Sequence, residues 1–228
     1  MGKKDEIELA DTARGDGGEP TEVNNSLGKP YYTQRNNTIK PGSACNVTSM
    51  IAALSAAGWP VEGFAPDGGQ PEDALMRFIM TDSVTLNRWK QVDPKGEIPP
   101  NEWHPVLAFG TNRWLRTFAI ESAPVTFHET ARREDIIAAV DAKGAAVISG
   151  RFPREGAKPL DHVVAVVGYG NEAGVFYFII DDPWGDYHTG YTSHNGRNIR
   201  LPEADFYALV KPLGQERKWA HIIRSFDQ

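Results

Sequence analysis

Cys45 is the only cysteine among 228 residues, and it opens the stretch CNVTSMIAAL. In that stretch Val47, Met50, Ile51 and Leu54 recur at helical spacing, and Gly58 and Pro60 close it, so a helix over Cys45–Ala57 is expected with Ser43 as its N-cap. A helix N-terminus presents unpaired N–H groups and the positive end of the dipole, which favours a thiolate over a thiol. A lone cysteine is also a common small hydrophobe of protein cores, so position alone does not make it a nucleophile. A base must hold or take the thiol proton, and His162, in DHVVAVVGYG, is the candidate.

A third group follows from strand pairing. Val163–Tyr169 and Val175–Ile180 are nearly continuous apolar, β-branched runs, and Gly170–Gly174 between them has hairpin-loop composition. A loop centred on Glu172 sets His162 opposite Asp182, so that the carboxylate can fix the imidazole tautomer and stabilise its cation. A slip of one residue would substitute Asp181 and put it on the other face.

The elements that must carry these groups fall into two halves. Residues 71–81 read as a second helix, with Pro71 in its first turn and Glu72 and Asp73 at its positive end. Residues 99–117 are aromatic-rich and partly helical, and Glu134–Lys143 is a helix stopped by Gly144. Ala145–Ser149 adds a third buried strand. Helices first and antiparallel strands afterwards make an α+β fold. Residues 1–28 are polar and Gly-rich, and are expected to be a flexible arm before one domain over 29–228.

In this order, Gln34, Cys45 at a helix start, His162 in DHVVAVVGYG and Asp182 in FIIDDPWGDY resemble a papain-like cysteine peptidase. More narrowly, they are similar to the bacterial and phage branch related to the double-glycine (bacteriocin leader) peptidases. There a glutamine precedes the cysteine, an H-[VI]-V-x-V-x-G-Y strand carries the histidine and a D-P-[WY]-G turn the aspartate. The resemblance covers about residues 31–190, and the C-terminal segment fits the family's closing helix and strand.

It implies a papain-like fold in which Cys45 attacks an amide carbonyl, His162 moves the proton and Asp182 orients His162. Gln34 would donate its side-chain amide to the oxyanion beside the Cys45 N–H, an interaction of roughly 2.7–4 kcal/mol in the transition state. Asn46 follows the cysteine, and residues 35–44 separate it from Gln34, so Asn36 and Asn37 are alternative amide donors. The same resemblance points to an endolysin-like enzyme of phage or bacterial origin that cuts peptidoglycan peptides. A protein-processing protease, a transglutaminase-like acyltransferase and an inactive virion or binding module are the other readings.

Trp184, beside Asp182, would shield the His–Asp pair or line the cleft, and Asn46 and Tyr187 are further candidate substrate contacts. Tyr187 belongs to a polar, aromatic loop over residues 186–197.

Other chemistry finds little support. One cysteine excludes an intramolecular disulfide and any zinc site needing two. His104, His128, His188, His194 and His221 show no H-x-x-x-H or H-E-x-x-H spacing, so no metal is expected, and no phosphate-loop or dinucleotide motif calls for a cofactor. The formal charge of −6, without a basic stripe, argues against nucleic acid as partner. No apolar run approaches the roughly 18 residues of a membrane span, and no secretory signal is visible at the N-terminus. A monomer made in the cytoplasm, reaching the wall after release or injection, is the corresponding expectation.

Overall fold

The computed structural model describes residues 21–65, 68–210 and 218–227. In it the Cys45 segment is α1 (Cys45–Ala56), and every residue from Asn46 to Ala56 is buried. An amphipathic stripe was expected. Small residues at Ser49, Ala52, Ala53, Ser55 and Ala56 instead let neighbours close on all sides, which makes α1 a central helix. Its N-cap is Ala44, with no side-chain cap, because Ser43 is taken up in a 3₁₀ turn over Pro41–Ser43.

The other helices are α2 (Pro71–Thr81), α3 (Ser83–Val92), α4 (His104–Arg116), α5 (Arg133–Asp141) and α6 (Glu203–Leu209). The sequence reading contains no α3. Asp82 starts it by accepting the N–H and hydroxyl of Thr85, and Arg113 of α4 grips the same carboxylate at 2.8 and 3.0 Å. The α2 carboxylate of Asp73 accepts the N–H groups of Thr38 and Ile39 and the Thr38 hydroxyl. It thereby pins the chain between Gln34 and Cys45.

Among the described residues seven strands form one antiparallel sheet: β1 (Thr21–Asn24), β2 (Val125–Ala131), β3 (Ala145–Phe152), β4 (Leu160–Glu172), β5 (Val175–Asp181), β6 (Ile199–Pro202) and β7 (Lys218–Ile223). The order is β2-β7-β3-β4-β5-β6, and β1 pairs with the far end of β4. β7, late in the sequence, is thus inserted between β2 and β3. β1 lies inside the segment expected to be an arm: Val23 is apolar enough to join an edge opposite Tyr169, a long-range pairing that local composition does not reveal. Residues 1–20 of that segment lie outside the described residues.

Strand alternation sorts the core into two layers. Val163, Ala165 and Val167 of β4 face the cluster built on α1, α2 and α4. Val164 and Val166 face a second cluster with Phe152, Phe178, Phe206, Tyr187 and Tyr191. α1 is tied to β4 by the Ser49 hydroxyl, which donates to the Val163 carbonyl at 2.9 Å.

The β4–β5 hairpin differs from the expected one. Its loop is two residues, Ala173 and Gly174, both at positive φ (51° and 80°), with Glu172 and Val175 already paired. This primed-turn geometry matches the twist of the strands, and the strands therefore run longer than composition suggests. The register passes Gly168↔Ile179, shifts by one residue at Val167, and continues as Val166↔Ile180 and Ala165↔Asp181. Asp182 therefore follows the end of β5 and lies diagonal to His162, not directly opposite it as expected.

Candidate active site

His162 lies opposite Gly150 of β3, and Asp182 begins the turn after β5. The His162 Nε2 to Asp182 Oδ1 distance is 2.7 Å, with both side chains buried. The remaining ring nitrogen, Nδ1, is left for the Cys45 thiol, which shares the wall of the same cleft. Cys45 itself is only partly buried. Burial pulls the imidazole toward neutrality, but the charge and hydrogen bond of Asp182, then Cys45, outweigh it and raise His162 to about 10. Asp182 thus stabilises the imidazolium that forms when His162 takes the proton of a thiol at a helix N-terminus. This arrangement can support a thiolate and later return a proton.

Asp182 is fully buried and has its oxygens satisfied. Oδ1 also accepts the Trp184 N–H at 2.8 Å, and Oδ2 accepts the Tyr191 hydroxyl at 3.1 Å. The Tyr191 ring stands edge-on to His162, with centroids 6.1 Å apart, and Phe152 packs against another side at 6.0 Å. The Asp182 backbone donates to the Gly196 carbonyl at 2.8 Å and accepts the Tyr31 hydroxyl at 2.6 Å. Gly196 has to be glycine, since a Cβ there would overlap the Asp182 carbonyl oxygen. Asp181 points elsewhere: it accepts the Asn198 N–H at 2.9 Å, and burial lifts its carboxyl to about 6.

Gln34 is buried in the 3₁₀ turn over Gln34–Asn36. Its N–H donates to the Pro183 carbonyl at 3.0 Å, and its Nε2 donates to the Pro41 carbonyl at 2.8 Å, so the side-chain amide is engaged one turn before Cys45. Asn37 Nδ2 donates to the Thr48 hydroxyl at 3.2 Å. Arg35 lies over the Trp184 ring at 3.9 Å and donates to its carbonyl. The Tyr31–Arg35 segment is thereby laced to the Asp182–Trp184 turn.

Cys45 and His162 open onto a cleft of about 530 Å³ whose walls include Asn46, Glu102, His104, Gly150 and Trp219. Of the three candidate substrate contacts, Asn46 lines it, with Nδ2 held at 2.6 Å by the Asn101 carbonyl. Trp184 is half-buried under Arg35 and outside the cleft wall. Tyr187 is buried against Phe152, its hydroxyl 3.2 Å from Asp205.

The 186–197 loop thus supports Asp182 from behind, through Tyr191 and Gly196. Sequence reasoning passed over these two residues and Tyr31. The available signal was a tyrosine and a glycine in a loop next to a candidate aspartate. His104 and His221, scattered in sequence, meet at 3.2 Å, Nδ1 to Nε2. Burial lowers His104 to about 4 and His221 well below its usual range. Among the described residues no group of three or more His, Cys, Asp or Glu could hold a metal ion.

A cysteine-led helix docked on an antiparallel sheet bearing histidine and aspartate defines the papain-like cysteine peptidase fold. Solved structures share it. One, from work on the mite allergens Blo t 1 and Der p 1, aligns with a TM-score of 0.50 and 14% identity over 94% of this chain and 73% of that one. Another, described as a C39-like peptidase from Bacillus anthracis, aligns with a TM-score of 0.50 and 17% identity over 90% and 99%. The profile of the Peptidase_C39 like family matches residues 26–200, more than half of the chain, and the protein belongs to that family of cysteine peptidases. No curated protein matches the sequence. No helix among the described residues is long and apolar enough to cross a membrane.

Proposed function

We propose that the protein hydrolyses peptide amide bonds through a Cys45–His162–Asp182 triad. The observation that carries this reading is the buried His162–Asp182 pair at 2.7 Å, with His162 and Cys45 sharing the wall of one open cleft. The Cys45 proton passes to His162, and the thiolate adds to the amide carbonyl to give a tetrahedral oxyanion. The Cys45 N–H faces that oxyanion, with Gln34 as side-chain donor once its amide turns from the Pro41 carbonyl. As the C–N bond breaks, His162 gives the proton to the leaving amine, and a thioester remains on Cys45. Water then adds to the thioester while His162 takes its proton. The carboxylic acid leaves, and the thiol is restored.

The substrate we propose is a peptidoglycan peptide, with the enzyme acting as an endolysin-like hydrolase of phage or bacterial origin that meets the wall after release from the cytoplasm. The similarity of the Gln34, Cys45, His162 and Asp182 motifs to that branch supports this. Residues 29–228, with β1 joined to their sheet, would form the catalytic domain, acting as a monomer without a cofactor.

Purified peptidoglycan incubated with the wild type and with Cys45→Ala tests both levels. Clearing and amine release by the wild type alone support the proposal. Failure of both, with Cys45 still rapidly alkylated at pH 6, moves the substrate to another peptide. A sluggish thiol with no activity overturns the triad.

A further inference from the structure

A second concavity of about 330 Å³ adjoins the catalytic cleft, and the two share Glu102, His104 and Trp219. Its remaining walls include Trp103, Phe127 and Glu129. His104 fixes the aromatic side: its ring lies 3.7 Å from that of Trp219 and is nearly parallel to Phe127, with centroids 6.0 Å apart. His221 holds it from below. Glu102 and Glu129 are exposed at the mouth, and among the described residues neither carboxylate has an ion-pair or hydrogen-bond partner. Among the described residues no lysine or arginine lines the space, and His104 is neutral at physiological pH, so none of these wall residues offsets the two negative charges.

Ring faces and unpaired carboxylates together select a definite chemistry. Aromatic faces attract a cation and also cover an aliphatic stem, while the carboxylates favour the charged head. An anionic side chain is repelled, and a purely apolar one gains only the rings. We propose that this concavity is the subsite for a cationic side chain of the substrate, a lysine-like ammonium or an arginine-like guanidinium on an apolar stem. Glu102, Glu129 and Trp219 are its determinants. The proposal rests on the peptidase reading for the identity of the ligand as a peptide, and its test is made in binding so that the two can fail separately.

The probes are Ala/Gly hexapeptide amides with a single lysine at each of positions two to five, each matched by a norleucine peptide, titrated calorimetrically into full-length Cys45→Ala protein. At least one lysine peptide binds about tenfold more tightly than its norleucine partner, the combined effect of a ring face and exposed carboxylates. The advantage disappears in protein that also carries Glu102→Gln and Glu129→Gln, with norleucine binding unchanged. Equal affinities, no saturable lysine-peptide binding, or a preference that survives the two substitutions overturns the subsite. Turnover of the same peptides by the wild type reports on the peptidase reading. Lysine-selective binding without cleavage of any peptide counts against that reading and leaves the subsite standing.

Discussion

Asp182 accepts the His162 Nε2–H at 2.7 Å although the ladder does not set the two residues opposite each other. The two-residue turn at Ala173-Gly174 pairs Glu172 with Val175. Continued unbroken, that register would put Asp181 on the His162 face. The one-residue shift at Val167 exchanges the two aspartates, because successive strand residues alternate faces. The bulge thus decides which of two adjacent carboxylates meets the histidine, and two predictions concern that carboxylate directly.

Asp182→Asn keeps a side chain of the same shape but removes the charge that raises His162 against the effect of burial. We expect kcat/KM to fall roughly 10²-fold, within the usual range for acid–base groups. The alkaline limb of its pH profile moves to lower pH, since less attraction holds the imidazolium. An alkaline limb that stays in place would contradict the role given to Asp182.

Tyr191→Phe removes the hydroxyl on Asp182 Oδ2 but leaves the ring against His162. A hydrogen bond to a charged group is worth about 1.5–3 kcal/mol, so urea denaturation should show a loss of that order. Because Tyr191 does not line the cleft, kcat drops several-fold while KM is unchanged. A change confined to KM would place the hydroxyl in substrate binding instead.

Gly196→Ala sets a methyl against the Asp182 carbonyl, with the Gly185 carbonyl at 2.7 Å and the Tyr31 hydroxyl at 2.9 Å. Backbone cannot yield as a flexible side chain does, and we expect a stability loss of about 2–3 kcal/mol together with loss of activity. Gly63→Ala, where a Cβ meets open space, is the control and changes stability by less than about 0.5 kcal/mol.

Acid stability reports on His104, which burial lowers to about 4. Its folded pKa lies below the unfolded value of about 6.5, so its contribution is present above pH 6.5 and is lost as pH falls through 4. The loss is about 3 kcal/mol. Glu72 and Asp181, raised by burial to about 7 and about 6, slope the opposite way, which makes the comparison with His104→Gln the measurement. Between pH 7 and pH 4 the wild type should lose about 3 kcal/mol more than the variant in urea titrations. His162, raised to about 10, contributes below pH 6.5 and loses that contribution as pH rises through 10.

Much of the site was legible along the chain because its signals are local. The Cys45 helix declares itself through spacing and the Gly58–Pro60 stop, and α2 through Pro71, Glu72 and Asp73; β3, β4 and β5 show as apolar runs, with motif order joining Cys45, His162 and Asp182. What the tertiary structure alone decided depends on residues far apart in sequence. The bulge at Val167 brings Asp182, not Asp181, to His162, and the 186–197 loop folds behind the aspartate instead of lining the cleft. β7 carries His221 and Trp219 to His104 from the far end of the chain. Propensity and periodicity act over a few residues, whereas register, close backbone approach and shared cleft walls are fixed only when packing sets distant segments against each other.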